Sequence, residues 1–244
     1  MLFDAHCHLQ MPSLKPVRAE VLAKYAGDGW KAAVNGTQPA DWATVAELAG
    51  THEVVRPQFG LHPWEVTAVE PGWEASLRDW LTRFPHAGVG EIGLDKWIRD
   101  ADLPAQKAGF APQWELACEL SRPITVHCLK AFGNLLDVVG ALPQAPRGFL
   151  LHAYGGPPDL LRQFLDAGAY FSFNLYFMAD RKADQREVFR QIPRDRLLIE
   201  TDAPAMPPPN GWRDYPQTDE RGQPLNDPRN LEATLRALAE IRGE

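Results

Sequence analysis

The sequence is poor in cysteine: Cys7, Cys118 and Cys128 are the only three in 244 residues, and no two form a Cys-x-x-Cys pair. That excludes a disulfide framework and a cysteine-built zinc clip. No window approaches the ~18 uninterrupted apolar residues of a membrane span. The opening Met1-Leu2-Phe3-Asp4-Ala5-His6 has neither a basic lead nor an apolar core, so neither a membrane anchor nor a secretion signal is expected. A reducing cytoplasm is the expected location, and no obligate protein partner is evident. Cations are the minority, 25 Lys and Arg against 32 Asp and Glu for a net charge of -7. No global positive field therefore draws nucleic acid in from a distance, and any phosphate site must be local. A low-complexity linker that would divide the chain into separate domains is also missing.

What is present is a repeated alternation. Short apolar or β-branched runs at 1–4, 31–35, 54–60, 88–92, 123–126, 148–151, 169–173 and 197–201 are each followed by a stretch of helical periodicity, at 17–25, 41–48, 73–83, 106–120, 132–140, 159–166, 183–191 and 230–241. Such βα units in strict alternation predict a single α/β domain over 1–244, a (β/α)8 TIM barrel, with a long connection at 203–228 after the last strand. A doubly wound open sheet is the competing architecture.

In a barrel, chemistry gathers where strands end. His6 and His8 lie at the first strand's end, His62 at the third, His127 at the fifth and His152 at the sixth, while Glu91 and Asp202 close the fourth and eighth. Residues two apart in a strand share a side, so His6 and His8 face the axis together and Cys7 faces the helices. Alone, a His-x-His pair is more often a surface or packed pair than a chelate. With Glu91, His127, His152 and Asp202 on one rim, it reads as a metal centre. Six ligands exceed what one open tetrahedral ion uses, which implies two divalent ions. The natural division gives His6, His8 and Asp202 to one ion, His127 and His152 to the other, and a bridging Glu91 to both. Four imidazoles favour Zn, Mn, Fe or Ni over Mg, and the choice among these five metals stays open.

The motifs Phe3-Asp4-Ala5-His6-Cys7-His8, Gly60-Leu61-His62-Pro63, Gly90-Glu91-Ile92-Gly93-Leu94-Asp95, Pro123-Ile124-Thr125-Val126-His127, Leu151-His152, Glu200-Thr201-Asp202-Ala203-Pro204 and Asn226-Asp227-Pro228 run the length of the chain. In this order they resemble the TatD family of metal-dependent deoxyribonucleases, within the amidohydrolase-like barrel superfamily. The resemblance implies a (β/α)8 barrel, two divalent metals held by His6, His8, Glu91, His127, His152 and Asp202, and hydrolysis of phosphodiester bonds in DNA. Two departures touch the substrate side. Cys128, Leu129 and Lys130 follow His127 where the family usually carries a small residue and arginine, and Ala153-Tyr154-Gly155 lacks the serine usual after the sixth-strand histidine. Lys130 restores a charge but not a bidentate clamp on phosphate.

Around this centre several residues carry two readings. Asp4 and Glu200 share strand phase with His6 and Asp202, and each either orients an imidazole or bonds within the barrel floor. His62 binds a substrate phosphate or is structural beside Pro63. Asp95 caps a loop or joins the site. Trp64, Tyr154, Tyr176, Trp212 and Tyr215 stack a base or pack a lid. The three cysteines read as buried inert thiols. Asp202 is the expected general base, Glu91 its catalytic companion, and His62 and Lys130 the groups that neutralise a phosphoryl oxygen. The expected substrate is single-stranded or terminal DNA, or a small phosphoester. An amide, lactone or ester hydrolase on the same barrel is the alternative, and a non-catalytic metal-binding scaffold the second.

The same polarity places His52 and His86, which precede the third and fourth strands, on the opposite face. His52→Asn and His86→Asn are expected to keep turnover within about threefold of the parent, as surface changes do. A loss as deep as that of His127→Ala, with circular dichroism unchanged, would reverse the barrel.

Overall fold

Strands covered by helices on one side and by other strands' side chains on the other have no wet face, so they read as near-continuous apolar runs. The computed structural model describes all residues from Met1 to Glu244. Its strands are β1 (Phe3–Cys7), β2 (Lys31–Asn35), β3 (Val55–Phe59), β4 (Gly88–Asp95), β5 (Ile124–Leu129), β6 (Phe149–Leu151), β7 (Ala169–Phe173) and β8 (Leu197–Ile199). They stand in sequence order in one sheet, and each neighbouring pair is parallel. The helices are α1 (Arg18–Gly27), α2 (Pro39–Thr51), α3 (Trp73–Arg83), α4 (Leu103–Glu119), α5 (Phe132–Ala141), α6 (Leu161–Asp166), α7 (Ala183–Gln191) and α8 (Leu231–Arg242). This is the (β/α)8 barrel, and an open doubly wound sheet is excluded by sequential strand order. No helix is long and apolar enough to cross a membrane.

Closure happens where the two ends of the chain meet. The Asp202 amide donates to His6 O at 2.9 Å and the His8 amide to Ala203 O at 2.8 Å. Below them the buried Asp4 carboxylate stands in for a ladder carbonyl, accepting from the Thr201 amide at 2.9 Å and the Thr201 hydroxyl at 2.6 Å. That substitution ends β8 at Ile199, short of the 197–201 run. It also settles the two readings of Asp4, because no imidazole nitrogen reaches it and the Tyr25 hydroxyl does, at 3.2 Å. β1 itself runs later than the 1–4 expected from the apolar Leu2 and Phe3: it extends to Cys7, so His6 lies inside the strand.

β4 carries the other irregularity. Its ladder to β5 passes from Val89↔Ile124 to Ile92↔Val126, three steps against two. The extra residue of this bulge lets Val89, Ile92 and Leu94 all remain in the helix-covered core while Glu91 turns to the axis. β5 approaches so closely that a Cβ on Gly93 would stand 1.9 Å from His127 O; only glycine fits there.

Local chemistry starts the helices. Pro39 opens α2, and Asp41 accepts from the Thr37 amide at 3.0 Å and the Thr37 hydroxyl at 2.9 Å; Asp102 caps α4 through the Ala105 amide at 2.9 Å. The connection after β8 holds a short 3-10 turn (Asn210–Trp212) and a hairpin of β9 (Gln217–Thr218) and β10 (Pro224–Leu225). Asn226 Nδ2 returns it to the barrel by donating to Thr201 O at 2.6 Å.

Asp4→Ala strands the Thr201 donors in the floor, and is expected to lower the unfolding free energy by about 3 kcal/mol at pH 6. Burial lifts the Asp4 carboxyl to about 7 against the pull of its Thr201 donors. A folded-state pKa raised above the unfolded one contributes stability at low pH that is lost as pH rises through 7. The gap between parent and variant should therefore narrow from pH 6 to 8.5 in denaturant titrations; a gap that widens would contradict the assignment.

Candidate metal centre

At the end of β1 the two-residue period brings His6, inside the strand, and His8, just past it, to one side, while Cys7 is buried with its Sγ 3.6 Å from Ala33 O. The Nε2 atoms of the two imidazoles are 3.1 Å apart. Glu91 Oε2 lies 3.4 Å from His6 and 3.3 Å from His8, and Asp202 Oδ1 lies 3.5 Å from each. For metal–ligand distances of about 2.0–2.1 Å the edge of a tetrahedron is about 3.3 Å, close to the separations of the two imidazoles from each carboxylate; proximity groups His6 and His8 with Glu91, and His6 with His152 and Asp202. Glu91 Oε1 serves a second group, at 2.9 Å from His152 Nε2 and 3.0 Å from His127 Nδ1, which are themselves 3.3 Å apart.

The other nitrogen of each ring decides which lone pair is free. His8 Nδ1 is 2.8 Å from Asn35 O, His127 Nε2 is 2.9 Å from Asp95 Oδ2, and His152 Nδ1 is 3.4 Å from Glu200 Oε1. Each of these acceptors holds the proton of the outer nitrogen, so the inner nitrogen is the one that, once deprotonated, can meet a cation. His6 Nδ1 is buried without a partner. His62 is the opposite case. Proximity groups it with Glu91 and His127, its Nε2 being 3.5 Å from Glu91 Oε1. Yet its Nδ1 accepts the Trp64 amide at 3.2 Å, so the proton sits on the inward Nε2 and the ring turns an N–H toward the mouth. These are tautomers assigned from their neighbours, and they favour the phosphate-binding reading of His62.

Burial alone would push the Glu91 carboxyl up, but His152, His6 and His62 around it and the hydrogen bond from His127 hold it well below the usual carboxylate range. Burial works against charge on His8, and Asp202 and Glu91 overcome it, lifting that imidazole to about 10. His152 is pushed well above its ordinary value in the same way by Glu91 and Glu200, and His127 is raised by Asp95 and Glu91. For His6 and His62 burial wins and the pKa falls. The centre thus neutralises its own carboxylates with protons, and a cation must displace them.

Both readings of Asp95 hold at once: it caps its loop through the amides of Trp97 at 2.6 Å and Ile98 at 3.3 Å, and it orients His127. Glu200 orients His152 and is held by the Ser172 hydroxyl and by Asn174 Nδ2 at 3.1 Å. Lys130 is exposed on the rim, in a left-handed conformation (φ 55°) directly after β5, and Ala153 and Asp202 are left-handed just beyond β6 and β8 (φ 43° and 53°). His52 and His86 precede β3 and β4, away from the cluster. Of the rim aromatics, Tyr154 is buried in the core with its hydroxyl on Pro157 O at 2.9 Å, which removes it as a stacking candidate. Trp212 packs on the core, and Tyr215 lies under Arg229. Cys7 and Cys128 are buried, whereas Cys118 is only half-buried. Sequence reasoning missed Asn35, whose contribution is a main-chain carbonyl, and Trp97.

Residues 3–244 match the family described as "TatD related DNase". The chain is 28% identical to the 3'-5' ssDNA/RNA exonuclease TatD of Klebsiella pneumoniae (strain 342), over 100% of this chain and 91% of that protein. It is 29% identical to the metal-dependent hydrolase YcfH of Escherichia coli (strain K12), covering 98% and 89% of the two. Among solved structures, the TatD homologue YJJV of Escherichia coli K12 superposes with a TM-score of 0.87 at 26% identity, over 100% of this chain and 91% of that one.

Because raised imidazole pKa values mean bound protons at neutral pH, loading with Mn or Zn at pH 7 is expected to release about two protons per chain and to weaken steeply as pH falls. Titration calorimetry in buffers of different ionisation enthalpy reads the number. A release near zero would mean that His8 and His152 are not the groups the cation displaces.

Proposed function

This chain belongs to the TatD-related DNase family, and on that footing we propose that it is a metal-dependent phosphodiesterase acting on single-stranded or terminal nucleic acid at a centre of two divalent ions. The observation that carries the reading is the division of Glu91, one oxygen toward His6 and His8 and the other toward His127 and His152. In this reading His6, His8 and Asp202 would hold one ion and His127 and His152 the other, with Glu91 available to both. The imidazole-rich donor set suits Zn, Mn, Fe or Ni better than Mg. The chemistry that such ions would supply when bound is an acidified water and electron withdrawal from the scissile phosphorus.

The chain's own groups do the rest. Asp202, facing both β1 imidazoles from the far side of the seam, takes the proton of the attacking water. His62, with its proton on Nε2, donates to a phosphoryl oxygen, and Lys130 brings a cation to the open side of the mouth on a flexible stem. Asp95, Glu200 and Asn35 O keep the outer ring nitrogens occupied so that the inner ones stay aimed. A net charge of -7 leaves little to hold a long duplex, which suits a substrate gripped at one or a few phosphates. The exonuclease relative acts, by its name, on single-stranded DNA and RNA, and this supports the same substrate class here.

Asp202→Asn is expected to fold and to lose about 10²–10³-fold in kcat on an end-labelled single-stranded oligonucleotide at saturating Mn, with Glu91→Ala and His127→Ala at least as low. A parental rate in Asp202→Asn across pH 6–9 would take Asp202 out of the mechanism. Metal-loaded protein that spares every oligonucleotide but cleaves small esters or amides would overturn the phosphodiesterase reading.

A further inference from the structure

The large apolar side chains that stay exposed divide into two groups. Met1 and Phe3 lie at the start of β1, Leu198 in β8 and Leu235 on α8. Trp64 and Trp97, 49% and 59% exposed, stand on the connections after β3 and β4, on the rim that carries the metal donors. The other tryptophans are buried or half-buried, so two bare indoles beside the centre call for a physical reason.

Both residues are tied to one carboxylate, Trp64 by its indole and Trp97 by its main chain. The Trp64 indole N–H donates to Asp95 Oδ2 at 2.8 Å, and the Trp97 main-chain N–H donates to Asp95 Oδ1 at 2.6 Å. Asp95 Oδ2 also meets His127 Nε2 at 2.9 Å. The Trp64 ring centroid lies 5.0 Å from that of His62 and 6.4 Å from that of His127. The position of Trp64 is thus set by the same atom that orients a proposed metal ligand. With its N–H engaged, Trp64 has only ring faces and C–H edges left to offer. Such a surface stacks well but reads no hydrogen-bond pattern, and therefore accepts any base.

We propose that Trp64 and Trp97 form a stacking clamp for an unpaired nucleobase next to the phosphodiester at the metal centre. The clamp rests on the phosphodiesterase reading and deepens it. A base within a duplex is already stacked on both faces and cannot enter, so the clamp selects frayed or single-stranded ends without selecting sequence.

The test is a cycle between protein and substrate, run with the Mn-loaded full chain on a short single-stranded DNA and on the same strand with an abasic unit at the terminal nucleotide. Trp97→Ala is the cleaner variant, since its bond to Asp95 is made by the main chain; Trp64→Phe keeps a ring while removing the N–H, and Trp64→Ala removes both. Trp97→Ala and Trp64→Ala are expected to raise KM about tenfold on the intact strand with kcat within about threefold, and Trp64→Phe to recover most of the KM. The abasic unit should raise the parent's KM by a similar factor and add nothing further in the alanine variants. If the variants raise KM equally on intact and abasic strands, or on neither, the clamp is wrong while the phosphodiesterase reading stands. If the parent cleaves no strand at all, that reading falls and the clamp with it.

Discussion

Glu91 is a carboxylate with 3% of its surface exposed, placed where the side chains of opposite strands converge. Left alone there it would take up a proton, because an isolated buried charge is too costly to keep. It stays ionised because imidazole nitrogens from β1, β5 and the ends of β3 and β6 surround its two oxygens. Much of the local backbone serves that arrangement. The β4 bulge turns Glu91 inward without surrendering the apolar face of the strand, and Gly93 gives up its side chain so that β5 can bring His127 within reach.

Around this anion the histidines are told apart by their outer nitrogens. A carbonyl and two carboxylates place the outer proton on three rings, and an amide N–H places the inner proton on the fourth. Chemically similar side chains within a few ångströms thus acquire different duties from atoms that never touch the centre. The strand ends contribute as well: Lys130, Ala153 and Asp202 all turn in left-handed geometry, a conformation uncommon outside glycine and tolerated where surrounding structure enforces it.

Much of this is legible in the sequence, for reasons that can be named. The bounds of β2 and β7, and of α3 and α7, coincide with the runs, because parallel strands are buried on both faces and amphipathic helices on one. His6 and His8 declare their common face through the two-residue period. Other features are not legible. A bulge has no signature in a string of Gly, Val, Glu and Ile, so the inward turn of Glu91 follows from its company rather than from pattern. The apolar run places β1 too early, because Leu2 and Phe3 look like a strand and His6-Cys7-His8 does not. Tyr154 looks like a rim residue from its place after His152, yet the chain folds back there and seals it in the core. Asp95 resists assignment to capping or to the site because it does both, through different oxygens.

The seam between β1 and the end of β8 also orders events during synthesis. His6 and His8 are among the first residues made, but the carboxylate that faces them, Asp202, belongs to the far end of the chain, and the barrel closes through hydrogen bonds that pair those same two segments. Glu91, His127 and His152 are all made earlier. Glu200, which orients His152, is made just before Asp202, so both sets of imidazoles wait for the same end of the chain. The chain cannot arm both halves of its centre until its eighth strand has been delivered to its first.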